Sequence, residues 1–168
     1  DPAGYTDETR SEKLRKMPLP KRTKVLMEHF GLQPRRSLSQ NFLVSEGAVD
    51  EIASVMLEAS GEEGRLGEIG AGLGALTVPL GESGRDLIAW ETDQNLIEPL
   101  RVLTASLPSV EIRHEDFTEV ELDDLAPGRS LAVCGNLPYH LSGLLLRKLM
   151  EAGTQCEIIV VTVQTEVA

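Results

Sequence analysis

The tetrapeptide Asn136-Leu137-Pro138-Tyr139 directly follows an apolar run and is the most specific short string in the chain. A side-chain amide oxygen and the next residue's carbonyl are two acceptors, able to take the two hydrogens of one exocyclic amine. An adenine amine is a poor nucleophile because its lone pair is delocalised into the ring, so a catalyst must favour the tetrahedral nitrogen that forms during attack. Asn136 Oδ1 and the Leu137 carbonyl oxygen would each accept one N–H, Pro138 would fix the turn that aims them, and Tyr139 would supply a stacking face. Orientation and electrostatics, rather than a strong base, would carry such a reaction. Taken alone, the string is also compatible with an ordinary strand-to-loop turn.

A second constellation lies upstream. Glu68-Ile69-Gly70-Ala71-Gly72-Leu73-Gly74-Ala75 ends one apolar run and opens a helical pattern, and its glycines let the backbone turn sharply and approach a ligand closely. This loop places an adenosine-containing ligand at the carboxyl edge of a sheet. Seventeen residues after Gly74, Glu91 ends the next run, where its carboxylate would accept hydrogen bonds from both ribose hydroxyls; Asp93 is a second, weaker candidate. Glu115-Asp116-Phe117 ends the third run, putting Asp116 where it would accept from an adenine amino group, with Phe117 available to pack on the ring. Gly70, Gly72 and Ala75 also fit the dinucleotide pattern G-x-G-x-x-A, so the loop alone does not separate NAD from S-adenosylmethionine. A nicotinamide oxidoreductase would use the glycines and Glu91 but gives no role to residues 136–139. With a methyl sulfonium held beside residues 70–74, in-line attack by the amine would give S-adenosylhomocysteine and N6-methyladenine, and a second turnover the dimethyl product.

Positioning these groups requires a sheet. Five short apolar runs, at 66–69, 87–90, 110–112, 131–134 and 157–163, read as strands separated by helical patterns, which implies a mostly parallel sheet with right-handed crossovers. Val49, Ile52, Ala53, Met56 and Leu57 follow helical spacing behind Ser45 as N-cap, with Gly61 beyond the end. Leu96, Leu100, Leu103 and Leu107 mark a helix ended by Pro108. Val25, Leu26 and Phe30 suggest a short helix from Lys24 closed by Gly31. Pro79 would fall beyond the first turn of a helix starting near Gly74, at a cost of about 3 kcal/mol, so a kink or a later start is expected.

At 168 residues, 41% hydrophobic and 26% charged, the chain has material for one core, hence one α/β domain. No apolar run approaches a bilayer-spanning length and the N-terminus is not signal-like, so a soluble, cytoplasmic protein is expected. Cys134 and Cys156 sit in apolar stretches without metal-ligand spacing, and no metal site is expected. The formal charge is −11, but residues 10–36 carry nine Lys or Arg against two Glu, a local +7 that leaves −18 on the remainder. That basic arm is either a solvated tail or an RNA-tracking element on an acidic body. Residues 1–20 hold little apolar material and are expected to be mobile or conditionally folded.

These residues together resemble the ribosomal RNA adenine dimethyltransferases (KsgA type), and the likeness runs from about Leu32 to Ala168. Ser37-Leu38-Ser39-Gln40-Asn41-Phe42-Leu43 is similar to the family's Gln-Asn-Phe-Leu signature, which implies that Gln40 and Asn41 help enclose S-adenosylmethionine, with Leu43 nearby. The glycine loop is similar to the family's Glu-Ile-Gly-Pro-Gly-Leu-Gly-Ala-Leu-Thr, with Ala71 in place of the proline. The resemblance implies cofactor contacts at Gly70, Gly72, Gly74, Glu91, Asp116, Phe117 and Asn136, and target-adenine contacts at Asn136, Leu137, Pro138 and Tyr139. Gln164-Thr165-Glu166-Val167-Ala168 looks like the family's Gln-Lys-Glu-Val-Ala with Thr165 in place of the base, and His140 stands where asparagine is frequent.

The implied fold is a Rossmann-like S-adenosylmethionine-dependent methyltransferase core over 37–168, behind a basic extension over 1–36 and apparently truncated after its fifth strand, without the family's helical C-terminal domain. The implied activity is N6-adenine dimethylation of small-subunit ribosomal RNA by a cytoplasmic monomer that acts in ribosome biogenesis. Two alternatives stay open: a large-subunit methyltransferase of the macrolide-resistance type, against which Leu137 and Leu141-Ser142 weigh, and a non-catalytic RNA-binding assembly factor that retains the pocket.

Overall fold

The five apolar runs form five strands: β1 (Arg65–Ile69), β2 (Leu87–Glu91), β3 (Val110–His114), β4 (Leu131–Asn136) and β5 (Cys156–Thr162). The computed structural model describes residues 6–33, 42–122, 125–137, 140–151 and 156–162. The strands make one sheet in the order β3-β2-β1-β4-β5, every pairing parallel. β2, Leu-Ile-Ala-Trp-Glu, is buried along its whole length, as expected of a strand covered on both faces, whereas the edge strand β3 places Glu111 and His114 in solvent. Strand order reverses between β1 and β4, where Ile69 pairs with Gly135, and the crevice of such a sheet opens at this switch point beyond the carboxyl ends.

Alternate residues feed two cores. On one face, Val49, Ile52, Ala53 and Met56 of α3 (Glu46–Ala59) meet Leu66, Leu87, Ala132 and Cys134. Ser45 caps that helix, its Oγ accepting from the Ala48 N–H at 3.3 Å. On the other face, Leu145 and Leu149 of α6 (Ser142–Glu151) pack with Ile88, Trp90, Phe117 and Val133. Both cysteines are free thiols, Cys134 deep in the first core.

Two boundaries turn on proline. α4 (Thr77–Glu82) begins three residues past Gly74, which leaves Pro79 in its first turn, where a missing N–H is tolerated. α5 (Gln94–Thr104) starts from Asp93, runs through Pro99 and ends at Thr104, short of the expected Pro108. Its Leu96, Leu100 and Leu103 are buried as the spacing requires, while Leu107 is buried from the turn beyond, its N–H on the Thr104 carbonyl.

The N-terminal expectation needs correction, because residues 7–15 form α1 (Asp7–Arg15), a docked helix. Leu14 is the single aliphatic side chain in it, so no apolar stripe announced the packing. The helix is instead held by Leu14 among Leu26, Leu73 and Leu103, by the buried Ser11 hydroxyl donating to the Leu103 carbonyl at 2.5 Å, and by Arg15, which pairs with Glu82 and donates to Ser106 Oγ at 2.8 Å. α2 (Leu19–His29) starts five residues ahead of the expected Lys24, behind Pro18 and with Pro20 in its first turn, and closes at Gly31 with φ of 61°. Arg22 is buried, and desolvation holds its pKa below the usual guanidinium range against the pull of Glu82 and Glu46. Part of the +7 therefore faces the body; Lys13, Lys16, Lys21 and Lys24 remain exposed.

The Ser11–Leu103 bond anchors α1 to α5. Ser11→Ala is expected to lower the unfolding free energy by about 1–2 kcal/mol in urea denaturation and to speed amide exchange in residues 11–16; unchanged exchange there would show that Leu14 and Arg15 suffice.

Candidate functional site

The loop after β1 is fixed from beneath by one carbonyl: the N–H groups of Gly70 and Ala71 both donate to the Trp90 oxygen, at 2.8 and 3.0 Å. The chain then turns with the Gly74 N–H on the Ala71 carbonyl. Gly70, Gly72 and Gly74 have φ of 72°, 58° and 80°, in the left-handed region that side chains resist. Gly72 and Gly74 are held for different reasons. A Cβ on Gly74 would lie 2.5 Å from Leu103 Cδ2, so this glycine seats α5 against the loop. Among the described residues, the nearest atoms to a Cβ on Gly72 would be those of the Phe42 ring, at 3.5 Å, and the Gly70 carbonyl at 3.9 Å, ordinary contacts that leave its φ of 58° as the constraint.

Glu91 ends β2 beside this loop. Its Oε2 accepts the Gly72 N–H and its Oε1 the Asp93 N–H, both at 2.8 Å. Burial pushes its pKa up and the backbone donors pull it back, so the group is a desolvated carboxylate with oriented oxygens. The Thr92 backbone also donates to this carboxylate, which stands at the end of β2 where a ribose would lie. Asp93 is committed elsewhere, capping α5 by accepting from the Asn95 N–H at 3.0 Å and its amide at 2.8 Å.

Sequence reading passed over Glu68 as a functional residue. It is 2% exposed, accepts from the Thr77 hydroxyl at 2.5 Å, and has a pKa pushed up to about 8, by burial first, with the Glu91 charge adding to it and the Thr77 bond opposing it. At neutral pH this carboxyl is uncharged beneath the glycine loop. The available signal was an acid inside an otherwise apolar strand immediately before the glycines.

Asp116 ends the third strand-to-loop passage and is exposed; its Oδ1 accepts from the Thr118 N–H and hydroxyl, at 2.9 and 2.7 Å, capping a single 3-10 turn over Phe117–Glu119. The Phe117 ring is 2% exposed and packs edge-on against Trp90, centroids 4.8 Å apart, so, contrary to expectation, it offers no open face to an adenine. Its hydrophobicity serves the core between β2, β4 and α6.

Asn136 ends β4, half-buried, with its backbone oxygen 4.0 Å from where a Gly70 Cβ would stand. Its Oδ1 accepts from the Thr162 hydroxyl at 2.7 Å. Leu137 is buried and its N–H donates to the Thr162 carbonyl at 3.2 Å. The structure thus brings Gly70, Gly72, Glu91 and Asn136 to one edge, with Asp116 after the neighbouring β3. Leu43 is partly buried against the core cluster of Leu19 and Ile52, and it is Phe42 that reaches the glycine loop. Gln40, Asn41, Pro138 and Tyr139 lie outside the described residues. Among the described residues no group of three His, Cys, Asp or Glu is placed to hold a metal ion, and no helix is long and apolar enough to cross a membrane.

A family model described as ribosomal RNA adenine dimethylase matches residues 31–168. The ribosomal RNA small subunit methyltransferase A of Ligilactobacillus salivarius (strain UCC118) is 36% identical over 154 residues, covering 89% of this chain and 51% of that protein. The protein of the same name from Shouchella clausii (strain KSM-K16) is 34% identical, over 89% and 51%. The chain thus spans about half the length of these curated relatives. Among solved structures, the 23S rRNA methyltransferase ErmE superposes with a TM-score of 0.64 at 26% identity, over 75% of this chain and 49% of that one. An RNA methyltransferase from Salinibacter ruber, solved in complex with S-adenosyl-L-homocysteine, shares the fold at TM-score 0.54 and 17% identity, over 70% and 71%.

Because the folded-state pKa of Glu68 lies near 8, above the ordinary carboxylate value of 4.5, its contribution to stability is fully present below about pH 4.5 and is lost as pH rises through 8. Glu68→Gln, which retains a partner for Thr77, is expected to flatten the fall in melting temperature between pH 6 and 9; a variant with the wild-type slope would place the titration elsewhere.

Proposed function

As the chain belongs to the ribosomal RNA adenine dimethylase family, we propose that it binds S-adenosylmethionine over the glycine loop and methylates N6 of adenine in small-subunit ribosomal RNA. The observation that carries this reading is the juxtaposition of Gly70 and Asn136 at the switch point: a donor lying on the glycines has its methyl group beside an amine held at β4. A methyl sulfonium bound there would supply an activated methyl group for transfer to the amine.

The chain's own groups hold and aim. The backbone at Gly70 and Gly72 admits the cofactor, Glu91 accepts from the ribose hydroxyls beside its backbone donors, and Asp116 Oδ2 takes the adenine amine of the cofactor. Gly74 acts through the turn it permits. Gln40 and Asn41 close the pocket from the preceding segment. Asn136 Oδ1 and the Leu137 carbonyl accept the two hydrogens of the target amine, while Pro138 and Tyr139 shape and stack the target base. Transition-state complementarity then comes from two fixed acceptors.

The partner in this reading is the small ribosomal subunit, approached by a cytoplasmic monomer whose exposed Lys13, Lys16, Lys21 and Lys24 meet phosphate, with methyl-transfer chemistry confined to residues 37–168. The likeness to ErmE supports a large-subunit substrate as a second reading; the names of the curated relatives and Leu137 with Leu141-Ser142 favour the small subunit.

Calorimetric titration is expected to show saturable binding of S-adenosylmethionine and S-adenosylhomocysteine and none of NAD; binding of NAD alone would overturn the assignment. Glu91→Ala removes acceptors worth about 1.5–3 kcal/mol and should weaken both sulfur ligands at least tenfold; unchanged affinity would remove Glu91 from the pocket. Asn136→Ala should keep cofactor affinity within about twofold and abolish methyl transfer to small-subunit ribosomal RNA, since it deletes an acceptor aimed at the reacting nitrogen; near-normal transfer would refute its role.

A further inference from the structure

Strand β5 reads Cys-Glu-Ile-Ile-Val-Val-Thr, an apolar run that ends on a hydroxyl. Thr162 is the last register partner of Asn136 in the β4–β5 ladder. Packing alone does not call for threonine, because valine has the same branched shape and suits a half-buried strand equally. What the hydroxyl adds is visible in the bonds: Oγ1 donates to Asn136 Oδ1 at 2.7 Å, and the same residue's carbonyl accepts the Leu137 N–H at 3.2 Å. One residue on the neighbouring strand therefore holds both carriers of the proposed amine acceptors.

We propose that Thr162 is a positioning residue, fixing the Asn136 amide and the Leu137 backbone in the orientation in which their oxygens receive the target amine. The inference rests on the methyl-transfer reading for its purpose but not for its geometry. An asparagine amide is nearly symmetric in shape, and rotation by half a turn would replace an acceptor by an N–H donor pointing at the donors of the amine. The Thr162 hydroxyl, which donates to Oδ1 at 2.7 Å, ties the amide to β5 and restrains its position at the end of β4. The carbonyl of Thr162 acts in parallel: by taking the Leu137 N–H it sets the plane of the 136–137 peptide and the path of the chain into the turn. Thr162 itself touches neither amine nor cofactor in this scheme. Its contribution is to reduce the number of orientations from which attack can proceed.

The test uses the full chain and the variants Thr162→Val, Thr162→Ala and Thr162→Ser. The side-chain amide resonances of Asn136 report the tie directly by NMR. Loss of the hydroxyl in Thr162→Val or Thr162→Ala is expected to shift that pair and raise its mobility, with Thr162→Ser restoring both. On small-subunit ribosomal RNA, Thr162→Val should lower kcat about five- to tenfold, the worth of one hydrogen bond, with KM and S-adenosylmethionine affinity within about twofold, and Thr162→Ser should recover most of the loss. Amide resonances that do not move in either hydroxyl-free variant, or a serine variant as impaired as valine, would overturn the proposal. Should Thr162→Val fold poorly, the alanine and serine pair decides on the same resonances. If wild-type protein transfers no methyl group, the methyl-transfer reading fails on that result, while the Asn136 resonances still judge the tie.

Discussion

One carboxylate holds the site edge together. Glu91 receives the Gly72 N–H on one oxygen and the Asp93 N–H on the other, joining the loop after β1 to the first turn of α5 across the end of β2. The glycines cannot hold their left-handed turns by packing, having no side chains, so their shape is imposed by bonds from outside: Trp90's carbonyl below and Glu91's carboxylate beside. Charged hydrogen bonds in a desolvated position are stronger than their exposed equivalents. The loop is thus preorganised by groups on the neighbouring strand before any ligand arrives, and the residues that shape it are those that would also read a ribose.

The neutral Glu68 follows from the same crowding. Two carboxyl groups, one within the strand and one at the next strand's end, influence each other through a buried region, and only one has backbone donors to compensate its charge. Thr77 gives Glu68 a single partner. Burial raises both acids, and the backbone N–H groups on Glu91 pull its pKa back where Glu68 has only the Thr77 hydroxyl to do so.

The sheet, its strand limits to within two residues and the glycine, acid and asparagine positions were legible because period and spacing record them locally. Leu96, Leu100 and Leu103 announce a buried helix face wherever the chain goes. Other features were not legible, for physical reasons. The hydrogen bonds that dock α1, from Ser11 and Arg15, reach partners 67 to 95 residues away, and no local pattern encodes an acceptor so distant. Phe117 read as a ligand-facing aromatic because it follows an acid at a strand end; its burial depends on Trp90, which spacing cannot place opposite it. Thr162 lies inside the run over 157–163 with nothing local to single it out, and its bond to Asn136 exists only once β5 pairs with β4.

Docking of the N-terminal helices changes what their charge does. A loosely tethered arm averages its lysines over a volume of solvent, and its field loses direction. With α1 packed against α5, the exposed lysines of α1 and α2 instead hold set places on a chain whose remainder carries the acidic excess. A polyanion at a distance exerts a torque on such a molecule as well as a net force. The torque fades within roughly 8–10 Å at physiological ionic strength, so it acts during the final approach.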